Sequence, residues 1–150
     1  MAISQALCTS FKVELMTGTH NFTTSTGNTF TLALFRATAL IVGTYGAGTT
    51  NYSNMTANSD EASGTNYVAG GSNLTNITPT SSGTTALTDF ADLTFANVTI
   101  TTSGCMIYNS SASNKSVAVF NFGGDKTATA GDLTIIFPTA DASNAVIRLS

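Results

Sequence analysis

The amino-acid sequence predicts an all-β fold, an antiparallel β-sandwich of jelly-roll-like type with a short N-terminal helix or arm. Three observations carry this. Between residues 98 and 138, β-branched and aromatic residues fall into four runs with period-two alternation, as in Leu133, Ile135 and Phe137 against Thr134 and Ile136, the pattern of strands. Clusters of Gly, Ser, Asn and Asp separate the runs, and such short connections join antiparallel strands, because parallel ones need a long crossover. Only 9% of residues are charged while 42% are hydrophobic, and the polar remainder is mostly Thr, Ser, Asn and Gly, a composition that suits a hydroxyl-coated β protein.

The chain reads as one domain over residues 1–150, a length that buries about 68–70% of the unfolded surface without help from disulfides or metals. Residues 1–20 form the helix or arm. Ile3, Leu7, Phe11 and Leu15 recur every four residues with Cys8 beside them, the stripe of one helix face. This predicts a helix over residues 4–16, capped by Ser4 or Thr9 and stopped by Gly18 in a left-handed conformation. Phe11, Val13 and Leu15 also alternate as a strand would. Residues 21–28 are a polar loop, and residues 29–35 (TFTLALF) a strand with Arg36 at its end.

Residues 43–82 are loops rich in Gly, Ser and Thr, and a long irregular stretch is often functional. Inside it, Tyr67-Val68 and residues 74–77 read as the arms of a short hairpin turned by Ala69-Gly70-Gly71. The segment is expected either to be solvated or to order against a neighbouring subunit. Residues 79–85 read as a turn, and residues 86–95 as strand-turn-strand or a short helical turn. Residues 86–150 form the β-meander core, in which Gly123-Gly124 beside Asp125 reads as a tight turn, and residues 145–149 make the final strand.

Charge and motifs exclude several functions. The net charge is −3 and the five basic residues, Lys12, Arg36, Lys115, Lys126 and Arg148, are scattered, which argues against a nucleic-acid partner. No apolar run reaches the roughly 18 residues of a membrane span, and no basic-then-apolar leader opens the chain, so the expected site of synthesis is a cytoplasm. Cys8 and Cys105 are far apart and are expected as buried thiols. Eight Asn-x-Ser/Thr sites follow from the Asn- and Thr-rich composition. His20 is the single histidine and has no nucleophile motif around it, and one His with two distant Cys does not make a zinc set. The acid pairs Asp60/Glu61, Asp89/Asp92 and Asp125/Asp132 come without the Trp platforms common at glycan-cleaving sites. Aspartate at turns has a local reason, because its side chain bonds the backbone there. The expectation is a protein that is not an enzyme and has no cofactor and no metal. Low charge further favours burial against neighbours, since lone soluble domains carry about 25% charged residues.

The segments FKVELMTGTHNF, TFTLALF, EASGTNYVAGGSNLTN and VTITTSGCMIYN resemble a family of small virion proteins of tailed bacteriophages, across nearly the whole length. Members share an FK-E-L--G-HNF segment, a KLALY-type strand, a G-x-x-YxAGG segment and a final T-I-T--G meander. Here Thr31 stands where a basic residue is common, and Asn66 where Gly is usual before the tyrosine. The resemblance implies a structural particle component with no catalytic pattern, made in the host cytoplasm and assembled in many copies in the virion. Its partners would be other virion proteins and further copies of itself, with no nucleic acid and no membrane. The expected role is capsid decoration (cement). A ring-forming neck or tail protein is one alternative, and a receptor- or glycan-binding module with exposed Tyr45, Tyr52 and Asp60 is another. The candidate partner contacts are Ile3, Leu7, Phe11 and Leu15 on the N-terminal segment and Tyr45, Tyr52 and Tyr67 on the Gly-rich loops.

Overall fold

The structure, a computed structural model, describes residues 2–150. It is 48% strand and 11% helical with antiparallel sheets, a sandwich-like all-β fold as the sequence predicts. In chain order the elements are β1 (Ala2–Ile3), β2 (Ala6–Leu7), α1 (Thr9–Met16), β3 (Phe30–Phe35), β4 (Thr44–Tyr45), α2 (Ser53–Ala57), β5 (Ser72–Asn73), β6 (Asn76–Ser82), β7 (Thr85–Phe90), β8 (Leu93–Asn109), β9 (Lys115–Ile135) and β10 (Ile147–Leu149). The main sheet has the order β2-β9-β8-β3-β5 and a second sheet the order β10-β7-β6. β1 and β4 form a two-residue parallel pair.

The N-terminal helix is shorter than its apolar stripe. The backbone of residues 4–8, which would form the first turn of a helix over residues 4–16, is instead held in extended pairing. Ser4 N–H bonds Tyr45 O at 2.8 Å and Cys8 N–H bonds Val117 O at 2.9 Å, while Ala6 and Leu7 pair with Val119 and Ala118. Helix therefore begins only at Thr9. Its end follows the expectation at Gly18, where φ is +74°. Gly18 N–H bonds Leu15 O and Thr19 N–H bonds Glu14 O, the paired bonds of a Schellman stop.

The stretch over residues 98–138 is not four strands with three turns. It is most of one long hairpin, β8 and β9, whose turn lies at residues 110–114. Of the three clusters that read as turns, the one at residues 110–114 is that turn, and the other two are register shifts inside the strands. Between the pairs Thr102–Lys126 and Gly104–Asn121, a single β8 residue faces four on β9. Gly123 and Gly124 occupy this bulge at φ +73° and +140°, conformations open to glycine. They bend one strand rather than joining two. Two further register shifts follow along β9, opposite Val98, and Phe122 and Ile135 line one groove, although a straight strand would part them by roughly 43 Å.

The Gly-rich middle is largely structured. Tyr67-Val68 is not a strand, and residues 74–77 have no partner there. Instead β5 pairs with β3 and β6 with β7. The turn expected over residues 79–85 shrinks to Gly83-Thr84, with Gly83 at φ +59° between the paired Ser82 and Thr85. Pro79 sits in the bulge between Ile77 and Thr80, where a missing N–H is tolerated. Residues 86–95 are strand-turn-strand, and β10 pairs along β7. β3 is buried on both faces. An aromatic chain crosses the core, with Phe22 stacked on Phe30 at 4.2 Å, Phe90 5.7 Å from Phe30 and Phe137 5.6 Å from Phe90.

Candidate interaction surface

Two adjacent carboxylates order the Gly-rich middle, and they do so from different sides. Asp60 is fully buried. Its Oδ1 accepts from Arg36 Nε and Nη2 at 3.0 and 2.8 Å, and its Oδ2 from Gly43 N–H and the Tyr45 hydroxyl, both at 2.7 Å. Val42 N–H adds a further bond at 3.0 Å. Burial alone would push this carboxyl up, but the donors from Tyr45, Gly43, Val42 and Arg36 outweigh it and hold it below the ordinary carboxylate range. Tyr45 is pushed up to about 12, by burial first and then by its bond to Asp60.

Glu61 binds a different set. Its Oε1 accepts from the Tyr67 hydroxyl at 2.8 Å and Gly70 N–H at 2.7 Å, and its Oε2 from the Tyr52 hydroxyl. Tyr67 Oη in turn accepts from Leu34 N–H at 2.9 Å, which ties the loop to β3. Tyr52 stacks on Tyr108 at 4.6 Å, and the Tyr108 hydroxyl donates to Gly70 O. Gly71 closes the approach, at φ +85° with its would-be Cβ 1.8 Å from Leu32 O. Asp60 and Glu61 thus do not converge on a common reacting atom.

The remaining acids are also committed within the chain. Asp89 accepts from Phe90 and Val146 N–H, Asp92 from Phe137 N–H, Asp125 from Thr38, Asp132 from Asn97 N–H and Asp141 from Ser143 N–H. Glu14 bonds His20 Nε2 at 2.7 Å and Lys115 Nζ at 3.3 Å. Asn109 Oδ1 accepts from Ser111 N–H, so its Nδ2 faces His20 Nδ1 at 2.9 Å. That network assigns Nδ1 as acceptor and Nε2–H as donor to Glu14. His20 is a structural link between α1 and the β8–β9 turn. Cys8 and Cys105 are free, buried thiols, and burial pushes both up.

The expected contact residues are mostly used inside the molecule. Phe11, Tyr45 and Tyr67 are buried, which corrects their reading as outward contacts: Phe11 packs on His20 and Phe22, and the two tyrosines serve Asp60 and Glu61. Ile3, Leu7, Leu15 and Tyr52 are half-buried against the core. Tyr45 and Asp60, which a glycan-binding module would need exposed, face inward. The apolar side chains on the surface are others, chiefly Met16, Val68 and Ile136, at 81%, 75% and 77% exposure. Ile136 was detectable in the sequence as the apolar residue at the outward position of an alternating run.

The outer face of the β8–β9 ribbon carries hydroxyl pairs, Thr94 with Thr134 and Thr101 with Thr127, each at 2.9 Å. A polar cleft of about 460 Å³ lies between Arg36, Ser63, Thr99 and Thr127. An apolar groove of about 430 Å³ runs between Leu15, Phe22, Leu87 and Ile147. Two adjoining hollows of about 380 and 400 Å³ share Phe122, Ile135 and Ile136. Among the described residues, no three His, Cys, Asp or Glu side chains form a metal-binding group, and no helix is long and apolar enough to cross a membrane. The arrangement suits contact with other proteins through hydroxyl, amide and apolar surface. Comparison with protein-family models, with curated proteins and with solved structures returns no match.

Proposed function

We propose that this chain is a structural subunit of a tailed-phage virion, a decoration protein that binds the outside of the head and bridges neighbouring capsid subunits. One observation supports it above the others. All eight carboxylates accept hydrogen bonds from within the chain, so, apart from a few charged side chains such as Lys12, Lys126 and Arg148, the surface is mainly hydroxyl, amide and apolar. Such a surface loses little when water is stripped from it against a neighbour. The sequence resemblance supplies the particle, and the β core supplies a rigid body able to bear load. The mechanism is mechanical: each copy adds interface area that resists internal pressure.

The test compares particles with and without the protein. Loss of thermal and osmotic stability on its removal is the expected result. Unchanged stability overturns the decoration role. A copy number on the order of hundreds supports decoration, whereas a closed ring of about six or twelve copies overturns it in favour of the neck or tail.

A further inference from the structure

The paired hollows beside the C-terminal segment differ from the rest of the surface. They share Phe122, Ile135 and Ile136 and so form one continuous groove, walled further by Phe120 and Leu133. Ile136 projects into solvent there, at 77% exposure. The charged side chains that line this groove have one sign, while Asp92 and Asp89 bond the backbone N–H of its lining residues Phe137 and Val146. Lys126 and Arg148 line it, and no carboxylate does so among the described residues, on a chain with eight acids and five bases. Arg36 and Lys115 are held in ion pairs, but Lys126 and Arg148 form none among the described residues. Asp141, whose carboxyl feels Arg148, is already held by Ser143 and Asn144. The backbone is also open here. On the edge away from β8, β9 pairs with β2 at Ala118 and Val119 and is bridged by Asn51 at Lys115, so past Val119 toward its C-terminal end that edge has no ladder partner among the described residues.

We propose that this groove docks an extended segment of a second protein, one that alternates apolar and acidic side chains. The apolar residues would fill the hollows around Phe122, Ile135 and Ile136. The acids would meet Lys126 and Arg148, and the backbone would run beside the open edge of β9. A second copy of this chain is a poor occupant, because each of its carboxylates is already bonded internally. The inference rests on the assembly reading only for naming the partner as another virion protein.

The test titrates the isolated full chain with short synthetic peptides and follows isoleucine methyl and backbone NMR signals. An alternating Leu-Glu peptide is expected to shift Ile135 and Ile136 saturably, more weakly at high salt. Leu-Lys and Ser-Glu peptides are expected to leave them in place. Lys126→Gln and Arg148→Gln should each weaken the Leu-Glu peptide about two- to fivefold, and Ile136→Ser should weaken it without changing signals elsewhere in the sheet. Equal binding of the Leu-Lys peptide, shifts confined to another face, or no saturable shift overturns the proposal. Concentration-dependent shifts of Ile136 without peptide also overturn it, in favour of self-association. Destabilised particles combined with no peptide binding would remove the groove and leave the decoration role standing; peptide binding with unaltered particles would do the reverse.

Discussion

The Tyr45 hydroxyl donates to Oδ2 of Asp60 at 2.7 Å, with both side chains out of water. This bond joins β4 to a residue fifteen positions later, and the same carboxylate holds Arg36, Val42 and Gly43. The Asp60→Asn variant should lose about 3–5 kcal/mol at neutral pH, because it strips the partner from a half-buried guanidinium. The folded protein holds this carboxyl below its unfolded value. Its contribution is therefore present above the ordinary carboxylate range and is lost as pH falls through the lower folded value. Urea denaturation should show a wide gap between wild type and variant at neutral pH and a closing gap in strong acid. A gap of constant size would mean that the charge on Asp60 is not what stabilises the middle.

Tyr67 links the other carboxylate to the central strand. Its hydroxyl donates to Glu61 and accepts from Leu34 N–H in the same step of chain. Tyr67→Phe leaves the buried Leu34 N–H unpaired and should cost about 1–3 kcal/mol. Faster hydrogen exchange at Leu34 is the local readout. An unchanged exchange rate there would show that another group takes over the N–H.

Asp89 should act in the opposite direction with pH. It is fully buried, and burial pushes its carboxyl up, only partly opposed by Phe90 and Val146 N–H, while the charge on Asp92 pushes it further up. The folded value lies above the unfolded one, so this group's contribution is complete below the ordinary carboxylate range and is lost as pH rises through the folded value. Asp89→Asn should remove that fall. The difference in melting temperature between variant and wild type should therefore move in the variant's favour as pH rises from mildly acidic to neutral. A difference independent of pH would exclude Asp89 as the titrating group.

How far the sequence discloses this structure depends on whether local chemistry or distant pairing decides each element. Gly18 was legible because a left-handed helix stop needs only its own neighbours. The helix start was not, because residues 4–8 are held extended by bonds such as Ser4 N–H to Tyr45 O and Cys8 N–H to Val117 O, partners far along the chain. Period-two alternation found β3 and the strand content of residues 98–138, but Gly, Asn and Ser mark bulges as readily as turns, so one bent hairpin reads as four strands. The candidate surface was least legible. Tyr45, Tyr52 and Tyr67 look like loop aromatics until Asp60 and Glu61 are seen to hold them, and adjacency of two acids does not show that they face different partners. Ile136 was the readable exception.

The bulge at Gly124 is one of three register shifts between Phe122 and Ile135, and its part in shaping the groove can be tested without touching the groove's own residues. Gly124 stands at φ +140°, and nothing lies within 4 Å of a Cβ placed on it. A methyl group there meets no clash, so any penalty comes from the backbone conformation alone. That region is essentially closed to other residues, and forcing alanine into it costs on the order of 1–3 kcal/mol. Gly48 also has open space for a Cβ but no positive φ, so Gly48→Ala should stay within about 0.5 kcal/mol of wild type. Where Gly124→Ala relieves its strain by straightening β9, Phe122 should move away from Ile135, since this bulge is one of three register shifts between them. Proton contacts between the Phe122 ring and the Ile135 and Ile136 methyls should weaken in the Gly124 variant and persist in the Gly48 variant. Equal stability of the two variants, with those contacts intact in both, would show that the bulge does not depend on the glycine.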